Sequence, residues 1–167
     1  MSADVFIGLG GNLGDVRATF GQAIEKIGEA ASVTAVSSLY RSKPYGFSDQ
    51  PDFLNAVLRA STQLSPLALF VMLQAIETEL GKHVLRENGP RAIDLDLLFY
   101  GDLVIQSHEL EVPHPGIFNR DFVLLPLAEL DPNFAHPTLN RSIAELLESL
   151  DSRHVEGSPE PSHHLLR

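Results

Sequence analysis

Apolar residues recur along this chain with two periods, and each period marks a kind of element. Residues 5–9 form a short apolar run stopped by Gly10-Gly11-Asn12, which predicts a buried strand. From about Asp15 to Ile27 the helical spacing puts Phe20, Ala23, Ile24 and Ile27 on one face. Residues 33–41 are rich in β-branched side chains and predict a strand. Residues 42–52 carry two prolines and a glycine and predict a loop. Over 53–63, Leu54, Ala56, Leu58 and Ala60 alternate with polar or mixed positions, as in a half-buried strand. Ser65-Pro66 supplies a capping hydroxyl and a proline at the first helical position, so a helix runs from there to Leu80 and ends at Gly81. Residues 82–90 are polar, and 92–100 read as the most apolar strand of the chain. Gly101-Asp102 predicts a turn into a second strand over 103–105, making a hairpin. Val112-Pro113-His114-Pro115 is extended, Asn119 is placed to cap a helix over about 120–130, and 142–150 form a short amphipathic helix.

The order β-α-β-β-α-β, followed by an extra strand and helices, predicts an α+β fold: a ferredoxin-like antiparallel sheet. Residues 1–150 are expected to make one domain. Residues 151–167 carry two prolines, a glycine and three histidines with little hydrophobicity, and are expected to be a tail outside the core.

Composition narrows the function. At 167 residues and 44% apolar, the chain can bury a real core. A net charge of −10 argues against general nucleic-acid binding but leaves room for a small anion held by a few arginines or a metal. Without cysteine, neither a disulfide nor a thiolate site is possible. No basic leader and no apolar run of about 20 residues is visible, so a cytoplasmic enzyme away from membranes is expected.

The chemistry concentrates in Arg91-Ala92-Ile93-Asp94-Leu95-Asp96-Leu97-Leu98-Phe99. Strand alternation puts Asp94, Asp96 and Leu98 on one face and Ile93, Leu95, Leu97 and Phe99 on the other. Two neighbouring carboxylates in an apolar strand are costly unless a cation compensates them, and Mg²⁺ is commonly held by one or two carboxylates plus substrate phosphates. Arg91 stands where it can meet the same phosphates. Gly8-Leu9-Gly10-Gly11-Asn12-Leu13-Gly14 fails the spacing of a dinucleotide-binding loop and lacks the lysine of a P-loop, so it reads as a tight turn. Gln74 and Glu77 share a helix face, which serves a solvated surface or a site equally well. Phe53 and Asn55 share a strand face, where a ring and an amide can hold a flat heterocycle or simply pack. His114 sits in a stiff Pro-His-Pro segment, and Asn119-Arg120 at a helix start favour an anion.

Four blocks together resemble the 6-hydroxymethyl-7,8-dihydropterin pyrophosphokinase family of folate biosynthesis. They are Gly10-Gly11-Asn12-Leu13-Gly14; Tyr40-Arg41-Ser42 with Asp49-Gln50-Pro51-Asp52-Phe53-Leu54-Asn55; Gly89-Pro90-Arg91-Ala92-Ile93-Asp94-Leu95-Asp96; and Val112-Pro113-His114-Pro115 with Arg120, Phe122 and Pro126-Leu127. The third block is specific to the family. The resemblance implies transfer of the β,γ-pyrophosphoryl unit of ATP to the pterin hydroxymethyl oxygen by a monomer, with two Mg²⁺ ions held by Asp94 and Asp96. It implies Phe53 and Phe122 as the faces of a pterin sandwich, with Asn55 and groups near Ser42, Pro44 and Tyr45 at the ring edge. Gln74, Glu77 and the Leu97 backbone would meet the nucleotide, and Arg91, His114 and Arg120 the phosphates. Lys82 is expected as a catalytic cation where relatives often carry arginine. Val84 and Asn88 replace a frequent arginine and tryptophan, and Glu109, Glu111 and Pro115 also depart from some relatives. The alternative is a non-catalytic ferredoxin-like module that binds nucleotide and metal.

Overall fold

In the computed structural model, which describes residues 2–44, 46–81, 89–162 and 165, the elements run β1 (Ala3–Gly11), α1 (Val16–Gly28), β2 (Ser32–Val36), β3 (Leu39–Ser42), β4 (Phe53–Thr62), α2 (Pro66–Glu79), β5 (Asp94–Tyr100), β6 (Ile105–Gln106), β7 (Glu111–Val112), α3 (Asp121–Leu130), α4 (Ile143–Glu148) and β8 (Val155–Glu160). Six strands form one sheet in the order β5-β1-β4-β3-β8, with β2 also paired to β4. Every pairing in it is antiparallel. The fold is therefore α+β, built on a mixed-order antiparallel sheet. Among the described residues no helix is long and apolar enough to cross a membrane.

Both faces of the sheet are covered. On one face Val5, Ile7, Leu9, Leu54, Ala56, Leu58, Leu95 and Leu97 meet the apolar stripes of α1 and α2. The α1 stripe is Phe20, Ala23, Ile24 and Ile27, as the periodicity predicts. Asp15 caps α1 by accepting from Ala18 N, and Ser65 caps α2 by accepting from Ala68 N. On the other face Phe6, Val57, Leu98 and Phe99 meet Leu124 and Leu127 of α3 and Ile143 and Leu146 of α4. Each buried Val, Leu, Ile or Phe among them contributes about 1.5–3 kcal/mol. The second layer explains why β4 is buried nearly throughout rather than half-buried as its alternation suggests.

Five expectations need correction. The strand over 33–41 is interrupted, because Ser37 takes over part of the ladder. Its N–H donates to Val57 O at 2.8 Å, and its hydroxyl oxygen accepts from Val57 N at 2.9 Å. Phe99 lies in the second core, not with Leu95 and Leu97, because a bulge changes the register between Phe6↔Phe99 and Ile7↔Leu97. Residues 103–105 do not return along β5: β6 pairs with β7 instead. The outer edge of β5 is already engaged, with Leu98 O accepting from His114 N at 3.0 Å and Leu95 N donating to Glu77 at 2.8 Å. The cap position of α3 is Arg120, not Asn119. Finally, 151–167 is no appendage. β8 pairs with β3, and Leu165 is buried in the first core. An edge strand is held by backbone hydrogen bonds, so low hydrophobicity did not reveal it.

Candidate active site

Two glycines open the site. On the α3 side of the sheet, β4, β1 and β5 align Asn55, Gly10 and Asp94 in one row and Val57, Gly8 and Asp96 in the next. A side chain at Gly10 would place its Cβ 3.7 Å from Asn55 Oδ1, and one at Gly8 would stand 3.5 Å from Leu98. Without those side chains the middle strand becomes the floor of a trough with an amide on one bank and carboxylates on the other. The free volume is about 110 Å³, well below the ~300 Å³ of a typical enclosed ligand pocket. This trough suits a flat ring, and a nucleotide would extend beyond it.

The banks are aromatic and cationic. Phe53 on β4 lies under the Arg91 guanidinium, whose Cζ is 5.0 Å from the ring centre. Phe122 on α3 lies near Arg120 at 5.9 Å. Arg120 folds over Gly116, where any Cβ would come within 2.7 Å of the guanidinium. Asn55 is buried, and its Nδ2 donates to Tyr40 O at 3.0 Å and Ser42 Oγ at 2.8 Å, which fixes the orientation of the amide.

Each carboxylate faces a basic neighbour. Asp94 Oδ2 is 3.2 Å from Arg91 Nη1, and Asp96 Oδ1 is 3.8 Å from His114 Nε2. His114 Nδ1 accepts from Gly116 N at 3.1 Å, so the neutral ring carries its proton on Nε2, toward Asp96. The buried Arg91 Nε has no hydrogen-bond acceptor among the described residues. A buried guanidinium N–H without an acceptor suits an anionic ligand.

The structure thus brings together Ser42, Phe53, Asn55, Arg91, Asp94, Asp96, His114, Arg120 and Phe122 from the sequence-based set. Gln74 is exposed on α2, outside the trough. Glu77 is buried and accepts from Leu95 N. The Leu97 side chain belongs to the first core, and Pro44 does not line the trough. Tyr45 and Lys82 lie outside the described residues.

Sequence reasoning missed Gly8, Gly10, Lys43 and Asn12. The glycines carried a signal: they repeat at i and i+2, as do Asp94 and Asp96, and so share a face. Asn12 joins three segments. Its Oδ1 accepts from Arg91 N at 2.9 Å, and its Nδ2 donates to Gln50 Oε1 and Pro51 O, both at 2.9 Å. Nothing local in the sequence pairs it with Arg91, 79 positions away.

A family model described as 7,8-dihydro-6-hydroxymethylpterin-pyrophosphokinase (HPPK) matches residues 6–132. The chain is 42% identical over 143 residues to the 2-amino-4-hydroxy-6-hydroxymethyldihydropteridine pyrophosphokinase of Aquifex aeolicus, covering 86% of this chain and 89% of that one. It is 40% identical over 157 residues to the enzyme of that name from Haemophilus influenzae, covering 92% and 98%. A crystal structure of Plasmodium falciparum HPPK-DHPS superimposes with a TM-score of 0.72 at 15% identity, a likeness of fold that covers 89% of this chain and 44% of that longer one. The family match spans the trough from Gly8 to Phe122, and the chain belongs to the 7,8-dihydro-6-hydroxymethylpterin-pyrophosphokinase family.

Proposed function

We propose that the trough holds the reduced pterin between Phe53 and Phe122 while ATP lies across Asp94, Asp96 and their basic neighbours. As a family member the chain is an ATP-dependent pyrophosphokinase of folate biosynthesis, acting on 6-hydroxymethyl-7,8-dihydropterin. The observation that carries the site assignment is the row Asn55-Gly10-Asp94. It sets a ring-reading amide and a carboxylate on opposite banks of a floor without side chains.

The reaction needs the hydroxymethyl oxygen to attack the β-phosphorus of ATP. The bond from that phosphorus to the α–β bridging oxygen breaks, AMP leaves with the electron pair, and the hydroxyl proton passes to solvent. Little covalent chemistry falls to the protein, so positioning and charge carry the catalysis. Phe53 and Phe122 hold the ring by stacking, and Asn55, with Ser42 beside it, reads its edge. From the family resemblance, Pro44 and Tyr45 are assigned to the pterin edge as well. Arg91, His114 and Arg120 bind phosphate oxygens as the bridging bond breaks, and Lys82 adds charge from beyond α2. The base end of the nucleotide is assigned to the outer edge of β5, with the Leu97 backbone, Gln74 and Glu77. The Glu77–Leu95 hydrogen bond supports that assignment by tying α2 to this edge.

Asp94 and Asp96 suit Mg²⁺. They are hard oxygen donors on one face of a strand, with Cα atoms about 7 Å apart. Among the described residues no three His, Cys, Asp or Glu side chains group as a closed metal cage, which suits an ion that completes its shell with water and phosphate oxygens. Two ions held there would neutralise the triphosphate during transfer.

The architecture is read as ferredoxin-like. If β2 and β3 count as one interrupted strand, the order is β5-β1-β4-(β2, β3), with α1 and α2 on one face. Every group named comes from one chain, so a monomer suffices.

The test is AMP release from ATP at saturating Mg²⁺, with and without 6-hydroxymethyl-7,8-dihydropterin. AMP is expected only with the pterin, and Asp96→Ala is expected to lose at least about 100-fold in kcat. Pterin-independent AMP, or full activity in Asp96→Ala, overturns the assignment.

A further inference from the structure

Phe122 is backed by a segment that the family match does not reach. That match ends at residue 132, whereas the His154 ring packs against Phe122 edge-to-face, 6.1 Å between centres at 81°. His154 itself is held from two sides. Its N–H donates to Asp121 Oδ2 at 2.8 Å, and the Val155 N–H donates to the same oxygen at 2.9 Å. Its carbonyl accepts from Lys43 N at 2.8 Å, beside the trough. Its Nδ1 lies 3.9 Å from Asp121 Oδ1.

Asp121 is fully buried and adjoins Phe122 at the start of α3. A buried carboxylate is costly unless its acceptors are used. Two backbone N–H groups and the positive end of α3 stabilise it. They also fix where the C-terminal segment enters the sheet. Ser42, on the pterin bank, pairs with Val155 on one side and Phe53 on the other. The start of β8 is therefore the outer support of the bank that carries Ser42, Lys43 and Phe122.

We propose that His154, anchored by Asp121, is a positioning residue that sets the Phe122 ring and so determines affinity for the pterin without contacting it. The proposal rests on the assignment of Phe122 to the pterin site. An edge-to-face contact limits ring rotation, and a wall already in place binds a flat ligand without an ordering cost.

The experiment is steady-state kinetics on the full chain, varying 6-hydroxymethyl-7,8-dihydropterin and MgATP separately. The chains compared are wild type, Phe122→Ala, His154→Ala and His154→Phe. His154→Ala is expected to raise KM for the pterin about three- to tenfold. KM for ATP and kcat should stay within about twofold, and His154→Phe, which keeps an aromatic edge, should restore the pterin KM. A pterin KM unchanged in His154→Ala but raised in Phe122→Ala overturns the positioning role alone. A pterin KM unchanged in Phe122→Ala overturns the site assignment, and the proposal with it. Equal rises in both KM values with a lowered Tm, or no rescue by His154→Phe, show a general structural role and also overturn it.

Discussion

Neighbouring glycines in this chain serve different ends, and substitution separates them. Gly11 meets the backbone: a Cβ there would lie 2.5 Å from Ala92 O. Gly11→Ala is expected to cost about 1–3 kcal/mol in urea unfolding, because a strand must shift to relieve the contact. At Gly10 a Cβ would make only an ordinary contact, 3.7 Å from Asn55 Oδ1, so Gly10→Val should keep its stability while raising the pterin KM at least about tenfold. Equal stability loss in both variants would remove the trough-floor argument. His136 offers a pH test away from the site. It is buried, and its Nδ1 accepts from Thr138 N at 3.2 Å and Leu139 N at 3.1 Å. Burial lowers its pKa below the ordinary 6.5. The native state therefore resists a proton that the unfolded chain accepts, and stability is whole above about pH 6.5 and falls as pH drops through the lowered native value. In His136→Asn an amide oxygen can keep both acceptor bonds without titrating. Its Tm should depend less on pH between 7.5 and 5 than that of wild type, and an unchanged slope would exclude His136 as the source.

Element boundaries show where local signals suffice. Helix α2 was legible almost to the residue, because Ser65, Pro66 and Gly81 act within one turn of its ends. The break between β2 and β3 was not, since Ser37 and Ser38 disrupt a strand only when Val57 and Glu129 are beside them. Glu77 belongs to this scale. Sequence left it between a solvated face and a nucleotide contact, and in the fold it binds the Leu95 backbone, midway between Asp94 and Asp96. Glu77→Ala should cost about 1–3 kcal/mol by leaving a buried N–H without its acceptor. Glu77→Gln, which can still accept, should recover most of that loss. If Glu77→Gln keeps stability yet raises KM for ATP, the charge serves the nucleotide as well.

At the scale of the molecule, the C-terminal segment closes the sheet. Removing residues 151–167 would bare the β3 edge, withdraw Leu165 from the core and leave the buried Asp121 carboxylate without its two backbone donors. Losses of about 4–6 kcal/mol are expected, a Tm drop of roughly 10–20 °C. A truncated chain with wild-type Tm would make the segment an appendage after all. Local pattern was enough to place the helices and the strands of the apolar stripes, and to nominate the residues of the candidate site. Periodicity, caps and the Arg91-Asp94-Asp96 spacing act over a few residues, and the four motif blocks name the family without coordinates. What those residues face was set by the packing of the folded chain. The bulge that turns Phe99, the Asn12–Arg91 clamp, the glycine floor and the support of Phe122 by His154 all join segments distant in the chain. Partners of that kind are chosen by sheet register and by the second helical layer, and neither leaves a periodic trace along the sequence.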